Sequence, residues 1–432
     1  MLLVSGLDRW VFQNLVPSLR RVCGRVYCYP LGDSMGNWRI RSWPAVRERL
    51  MSRFLSDVRG LVKGPGLDLV LTVLYDDTLR PRDVRALRDM GVRVATYHVD
   101  MNMQWYRVLR HAPALDVLAV SHMQNLEPLA RRGVQMHFMP MGASPDRYDR
   151  DPVPDAPETG VLMLGSANRH RVRAVAACRE VTEDVDVFGP GWPGLLSPDA
   201  KSDSAESNGI AQPLVKRLFD FRHYLVPRVM AEGSDLLARF VDRARPLDEG
   251  TLRLASSARV HGHAPEGLVG SLLARSRIAL GVNQRTREIG DRRGVADSRL
   301  RDFEAPMSGA FYLVQSFVDL PVFYRTGSEV EAWSTLEELK EKVRYFLDHD
   351  EERASIARAG RARARKDHSW DARLGDLLHR LGLSARRGDA PCPMEVVANL
   401  SSRPWCVDSP GCRPEGGGPG PAPELESLAR SG

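Results

Sequence analysis

The stretch DLVLTVLYDDTLRPRDVRALRDMGVRVATYHVD, residues 68–100, decides the fold class. A continuous apolar run (68–74) passes through a turn carrying Asp76 and Asp77 into a helix-like segment (81–90), then into a second apolar run (92–99). Short unbroken apolar runs alternating with helices mark a parallel sheet covered on both faces. The alternation extends both ways, through LLVS (2–5), RVYCY (25–29), DVLAV (116–120) and MHFMPM (136–141), with helix-like stretches near 10–22, 42–61 and 123–132. Residues 1–150 therefore read as one Rossmann-like domain.

The segment DPVPDAPETG (151–160) is rich in proline and acid, lacks periodicity, and reads as an interdomain linker. Beyond it the alternation restarts with VLMLGS (161–166), VDVFG (185–189), ARVHG (258–262), RIALGVN (277–283) and AFYLV (310–314). A second doubly wound domain, 151–383, follows by the same argument. Residues 193–256 interrupt it, opening with a loop-like SPDAKSDSAESNG and continuing into helical, mixed-charge sequence, and read as a helical insertion. Residues 384–432, with GGGPGPAP at 416–423, have the composition of a disordered tail. The expected fold class is α/β, with two Rossmann-like doubly wound domains facing a central cleft.

Composition narrows the function. Hydrophobic residues make up 43% and charged residues 27% of the 432, as in soluble globular proteins. No run of apolar residues is long enough to span a bilayer and no signal peptide is evident, so a cytoplasmic location is expected. The net charge of +6 is carried almost wholly by arginine, since lysine occurs at six positions only. These charges are scattered, without the clustered bases and stacking aromatics of a nucleic-acid binder, so no nucleic-acid partner is expected. The six cysteines (23, 28, 178, 392, 406, 412) form no CxxC pair, which speaks against a zinc site or a disulfide framework.

Ligands of such sheets bind beyond the carboxyl ends of the strands. In LGSANRHR (164–171), Gly165 permits close backbone approach, the following helix N-terminus favours an anion, and Arg169 and Arg171 add charge. FGPGWPG (188–194) ends another strand, where Trp192 either packs the turn or stacks on a ligand. RVHGHAPEGL (259–268) brings His261 and His263 to a strand end; no third metal ligand is evident, so His261 reads as a polar ligand contact and no metal is expected. In the first domain His98 and Asp100 share a face at a strand end and are candidate catalytic residues, able to act as a general base or position a hydroxyl.

LRDFEAPMSGAFYLVQ (300–315) is the remaining constellation. As a helix it puts Arg301, Glu304 and Ser308 on one stripe and Leu300, Phe303 and Met307 on an apolar neighbour, with Gly309 as C-cap before a strand. A carboxylate beside an arginine at such a helix start suits hydroxyls and phosphates; an ordinary surface ion pair has the same spacing.

That stretch, together with residues 326–370, resembles the C-terminal domain of the spore-maturation CgeB-like glycosyltransferase family. YDD (75–77), HVD (98–100) and VLMLGS (161–166) are similar to its upstream pattern, and the resemblance covers most of 1–383, most strongly 259–383. It implies the two-domain GT-B architecture and transfer from a nucleotide-sugar donor, as substrate rather than cofactor, to an unidentified acceptor: a glycan, a protein or a small molecule. It further implies that Glu304 binds the donor ribose, that Arg301 lies near the phosphates, and that Ser308 and Gly309 match the small residues that follow. The related retaining families often carry Glu-x7-Glu; here the first position is Ala296, with Asp297 adjacent. A GT-B-shaped protein that binds nucleotide or glycan without turnover, and a sugar-nucleotide epimerase, stay open beside the transferase.

Overall fold

The computed structural model describes residues 1–5, 9–30, 43–74, 78–99, 105–196, 246–265, 267–291, 295–386 and 391–397, with positions 226 and 229 isolated between them. Asp76, Asp77, Asp100 and most of the expected 193–256 insertion lie outside the described residues.

The described chain folds as two compact units. One runs to Pro140 and resumes at Arg373; the other begins at Met141 and ends at Ala372. The change of unit falls between Pro140 and Met141, ahead of the 151–160 stretch. The Val153 N–H is held by the Ser271 hydroxyl at 3.0 Å, and Ala156 is buried, so this proline-rich segment is packed into the second unit.

The first unit holds β1 (Leu2–Ser5), β2 (Val26–Pro30), β3 (Leu69–Val73), β4 (Arg93–His98), β5 (Val117–Val120) and β6 (Met136–Phe138). The second holds β7 (Thr159–Leu164), β8 (Val185–Phe188), β9 (Arg259–Val260), β10 (Ser276–Gly281), the hairpin β11 (Gln284–Thr286) and β12 (Val295–Ala296), then β13 (Tyr312–Gln315) and β14 (Glu331–Trp333). A last strand, β15 (Met394–Val396), returns to the first unit.

The first sheet is parallel throughout, in the order β15-β2-β1-β3-β4-β5-β6. The inner apolar runs that forecast it are buried on both faces, as in β3, where all five residues are buried; the edge strand β6 is only half-buried. Within 68–100, β3 and β4 pair in parallel with the Pro81–Asp89 helix between them. Its Pro81–Asp89 helix starts with Pro at the first turn, and the Asp83 carboxylate accepts the Arg80 N–H at 2.8 Å. Asp83 also pairs with Arg47, a fully buried guanidinium on the Trp43–Lys63 helix, so two helices on the sheet are tied by charge as well as packing.

Within the expected tail, residues 391–397 carry a strand. β15 lies parallel to β2, with Met394 opposite Val26 and Val396 opposite Cys28, and Arg20 Nε donates to the Cys392 carbonyl at 2.9 Å. Residues 391–397 are therefore ordered, although 384–432 has a disordered composition. A three-residue edge strand has no periodicity to betray it; its order comes from an edge hundreds of residues earlier.

The second sheet is also parallel, in the order β14-β13-β10-β7-β8-β9. Val161, Met163, Ile278, Leu280 and Leu313 form its core at 3% exposure or less. Burial of each such side chain contributes about 1.5–3 kcal/mol. Among the described residues no helix is long and apolar enough to cross a membrane.

Candidate functional site

In the second sheet the strand order reverses between β7 and β10: β8 and β9 lie to one side, β13 and β14 to the other. Connections leave those two carboxyl ends in opposite directions, and such a switch point opens a crevice for ligand. β7 ends in the Gly165 turn. Its carbonyl accepts the Trp192 indole N–H at 2.9 Å, and its N–H donates to the Phe188 carbonyl at 2.8 Å. Gly189, φ +147°, crosses so close that a Cβ there would sit 2.1 Å from the Gly165 carbonyl oxygen, so only glycine fits. Trp192 is fully buried, which settles its role as packing of this turn and removes it as a stacking surface.

The turn feeds the Arg169–Arg179 helix, capped by the Asn168 side chain, which accepts the Arg171 N–H at 3.0 Å. The Arg171 guanidinium folds back over the turn, donating to the Ser166 carbonyl at 2.7 Å. Burial, with Arg299 and Arg301 beside it, lowers its pKa to about 10. It stays protonated at neutral pH, so three cations gather at the switch point in partly dry surroundings. Arg169, also expected at this anion site, instead meets Glu288 at 3.3 Å, a carboxylate shared with Arg173.

Arg299 and Arg301 arrive from the opposite side on the segment that opens the Arg301–Met307 helix. Phe303 and Met307 are fully buried, as the apolar stripe requires. Glu304 is only 3% exposed, and its carboxylate lies 2.8 Å from the Arg301 guanidinium. The surface-pair alternative is thereby excluded. Tyr148, from the short Pro145–Tyr148 helix, hydrogen-bonds the same carboxylate; burial and then that charge push its phenol well above the usual range. Ser308 is buried and donates its hydroxyl to the Glu304 carbonyl at 2.9 Å, so it serves the helix end rather than a ligand. Gly309, φ +82°, ends the helix in the conformation expected of a C-cap glycine.

Behind these charges lies a buried polar network that spacing alone did not reveal. Asp302 accepts the Arg299 N–H at 2.6 Å, the Tyr312 hydroxyl at 2.6 Å and the Asn283 amide at 3.0 Å. Burial raises its pKa to about 6 against the pull of those donors. The Gln315 amide oxygen accepts the N–H groups of Asn283 and Gln284 at 3.0 and 2.8 Å, tying the end of β10 to β13. Asp297, the neighbour of Ala296, is buried 3.1 Å from the Arg285 guanidinium.

At the far edge His261 follows β9. Its Nε2 is 2.6 Å from Asp186, and its ring stacks on Phe188 at 4.4 Å between centroids. The other face is exposed, so a ligand contact by His261 remains open to it. Among the described residues no three His, Cys, Asp or Glu side chains gather as a metal site.

On the first unit, His98 ends β4 but is fully buried; burial, with Arg107, His111 and His122 nearby, holds its imidazole well below the usual range. Its ring is shut away from solvent in this conformation, because the strand alternation that put it at an edge turned it inward. Arg299, Asp302, Asn283 and Tyr148 were missed by sequence reasoning. The first two sit in or beside the quoted helix and were visible as charge; Tyr148 comes from a segment that carried no signal.

A family model described as "Glycosyl transferase-like" matches residues 228–379. No curated protein matches the chain. Among solved structures, HepE of Anabaena, crystallised with UDP and glucose, is 10% identical with a TM-score of 0.52, covering 88% of this chain and 99% of that one. Sucrose-phosphate synthase of Thermosynechococcus elongatus is 11% identical with a TM-score of 0.50, over 88% and 98%. A glycosyltransferase of Rickettsia africae is 10% identical, also at 0.50, over 88% and 97%. At these identities the likeness speaks to fold: the chain has the GT-B fold, with parallel sheets in two Rossmann-like units.

Proposed function

We propose that the protein is a glycosyltransferase that takes a sugar from a nucleotide-sugar donor bound at the switch point of the second sheet. The observation that carries the proposal is the convergence of Arg171, Arg299 and Arg301 at the Gly165 turn, beside a capped helix N-terminus. A diphosphate leaving group is what such an array fits, because guanidiniums and helix N–H groups stabilise the charge that develops as the glycosidic bond breaks. These cations supply that charge without calling for a divalent ion. Glu304, held by Arg301 and Tyr148, presents a fixed carboxylate to donor hydroxyls, and His261 is the candidate contact at the far edge. On the acceptor side Asp100 is the candidate base. The resemblance over 259–383 supports assignment to the CgeB-like group and transfer of a hexose.

The test is turnover: incubation with a panel of nucleotide sugars and acceptors, with released nucleoside diphosphate measured. A second reading, binding without turnover, is favoured by one observation. Ala296 stands where related enzymes carry a glutamate, and Asp297 is already engaged by Arg285. Diphosphate binding with no donor consumed across the panel would establish that reading.

A further inference from the structure

The arginine cluster needs something to hold it in place against its own repulsion. Arg299 and Arg301 both precede Asp302 closely in sequence, and Asp302 is fully buried. Its two oxygens take four hydrogen bonds: the Arg299 N–H at 2.6 Å, the Tyr312 hydroxyl at 2.6 Å, and the Asn283 amide at 3.0 and 3.2 Å. Tyr312 belongs to β13, and Asn283 lies two residues beyond β10. The carboxylate therefore fastens the turn that presents both arginines to the ends of two central strands.

We propose that Asp302 is the positioning residue of the donor site, fixing the Arg299–Arg301 turn and setting by its own charge how strongly the cluster draws a diphosphate. The inference rests on the donor-site reading above.

The groups facing Asp302 are Arg299 and Arg301 on its own segment, Arg171 from the Arg169–Arg179 helix, Tyr312 from β13, and Asn283 from the end of β10. Glu304, engaged by Arg301 and Tyr148, is the remaining carboxylate of the cluster. Three cations thus face two carboxylates, and neutralising Asp302 leaves the excess positive charge larger. Burial holds the Asp302 pKa at about 6, so that change falls within an accessible pH range. The phosphates of a nucleotide sugar keep their charge there, so a change in affinity reports the protein. Tyr312 donates to the ionised carboxylate; without that bond the acid form is favoured further.

The experiment is calorimetric titration of the full chain with uridine and guanosine diphosphate sugars between pH 5 and 8. Wild type is expected to bind about tenfold more tightly at the acid end. Asp302→Asn should lose this dependence, and Tyr312→Phe should move its midpoint to higher pH. His261, three strands from β10, retains any contribution of its own in Asp302→Asn, so the difference between the two profiles isolates Asp302. If Asp302→Asn does not fold, the midpoint shift in Tyr312→Phe decides. A flat wild-type profile, a dependence that survives in Asp302→Asn, or an unmoved midpoint in Tyr312→Phe overturns the inference while leaving the donor site standing. No binding of either sugar at any pH overturns the donor site, and the inference with it.

Discussion

The Glu304 carboxylate lies 2.8 Å from the Arg301 guanidinium within the first turn of one helix, and Glu304 is almost wholly buried there. The pair is thus both a candidate ligand contact and a part of the fold. Removing the carboxylate leaves Arg301 and the Tyr148 hydroxyl short of a partner.

Glu304→Ala is therefore expected to lose about 2 kcal/mol of stability, a figure below that for a fully buried pair because Arg301 keeps some contact with water. Glu304→Gln keeps shape and one acceptor, and should retain most of that stability while losing donor affinity. Urea midpoints paired with binding titrations separate the two effects. Equal affinity in Glu304→Gln and wild type would remove Glu304 from the donor site.

Arg171 is half-buried over the Gly165 turn, donates to the Ser166 carbonyl, and forms no ion pair among the described residues. Arg171→Ala should leave the unfolding midpoint nearly unchanged and weaken nucleoside diphosphate binding by about 10- to 100-fold, the loss of one or two charge-assisted hydrogen bonds. Binding isotherms at two salt concentrations check this, since the wild-type affinity should fall more steeply with salt.

Gly189 offers a purely steric prediction. Its Cβ would meet the Gly165 carbonyl oxygen at 2.1 Å, a backbone atom that cannot rotate away. Gly189→Ala should cost more than about 3 kcal/mol or shift the β7 turn enough to abolish diphosphate binding. A variant with wild-type melting and binding would show that the two strand ends do not approach so closely.

Much of this architecture is legible in the sequence. Both sheets announced themselves because parallel strands buried on two faces are continuous apolar runs, as at 68–74 and 277–283. The Glu304–Arg301 stripe was readable because helical spacing brings positions three apart together. What spacing could not supply is which face is dry. His98 looked like an edge group and is buried; Ser308 looked available and is bonded to its own helix. Tyr148 joins the site through Glu304, far along the chain, Asn283 through Asp302 at a separation of 19 residues, and β15 pairs with the edge that β2 offers.

Asp186 gives a pH prediction of definite sign. Burial pushes its carboxyl up, but hydrogen bonds from Arg259 and His261 hold it below the ordinary range. A depressed carboxylate contributes stability above its unfolded pKa of about 3.9 that is lost as pH falls through the folded value. Urea unfolding at pH 7 and pH 3 should therefore show a smaller loss in Asp186→Asn than in wild type. An equal loss would mean that this cluster does not contribute.

The most direct test of the account is a thermal shift measurement with uridine and guanosine diphosphates on wild type and Arg171→Ala. A ligand that binds only the folded state raises its melting temperature. The donor-site assignment predicts that at least one nucleotide raises wild type markedly and Arg171→Ala far less. No shift with either nucleotide, or the same shift in both proteins, would contradict it.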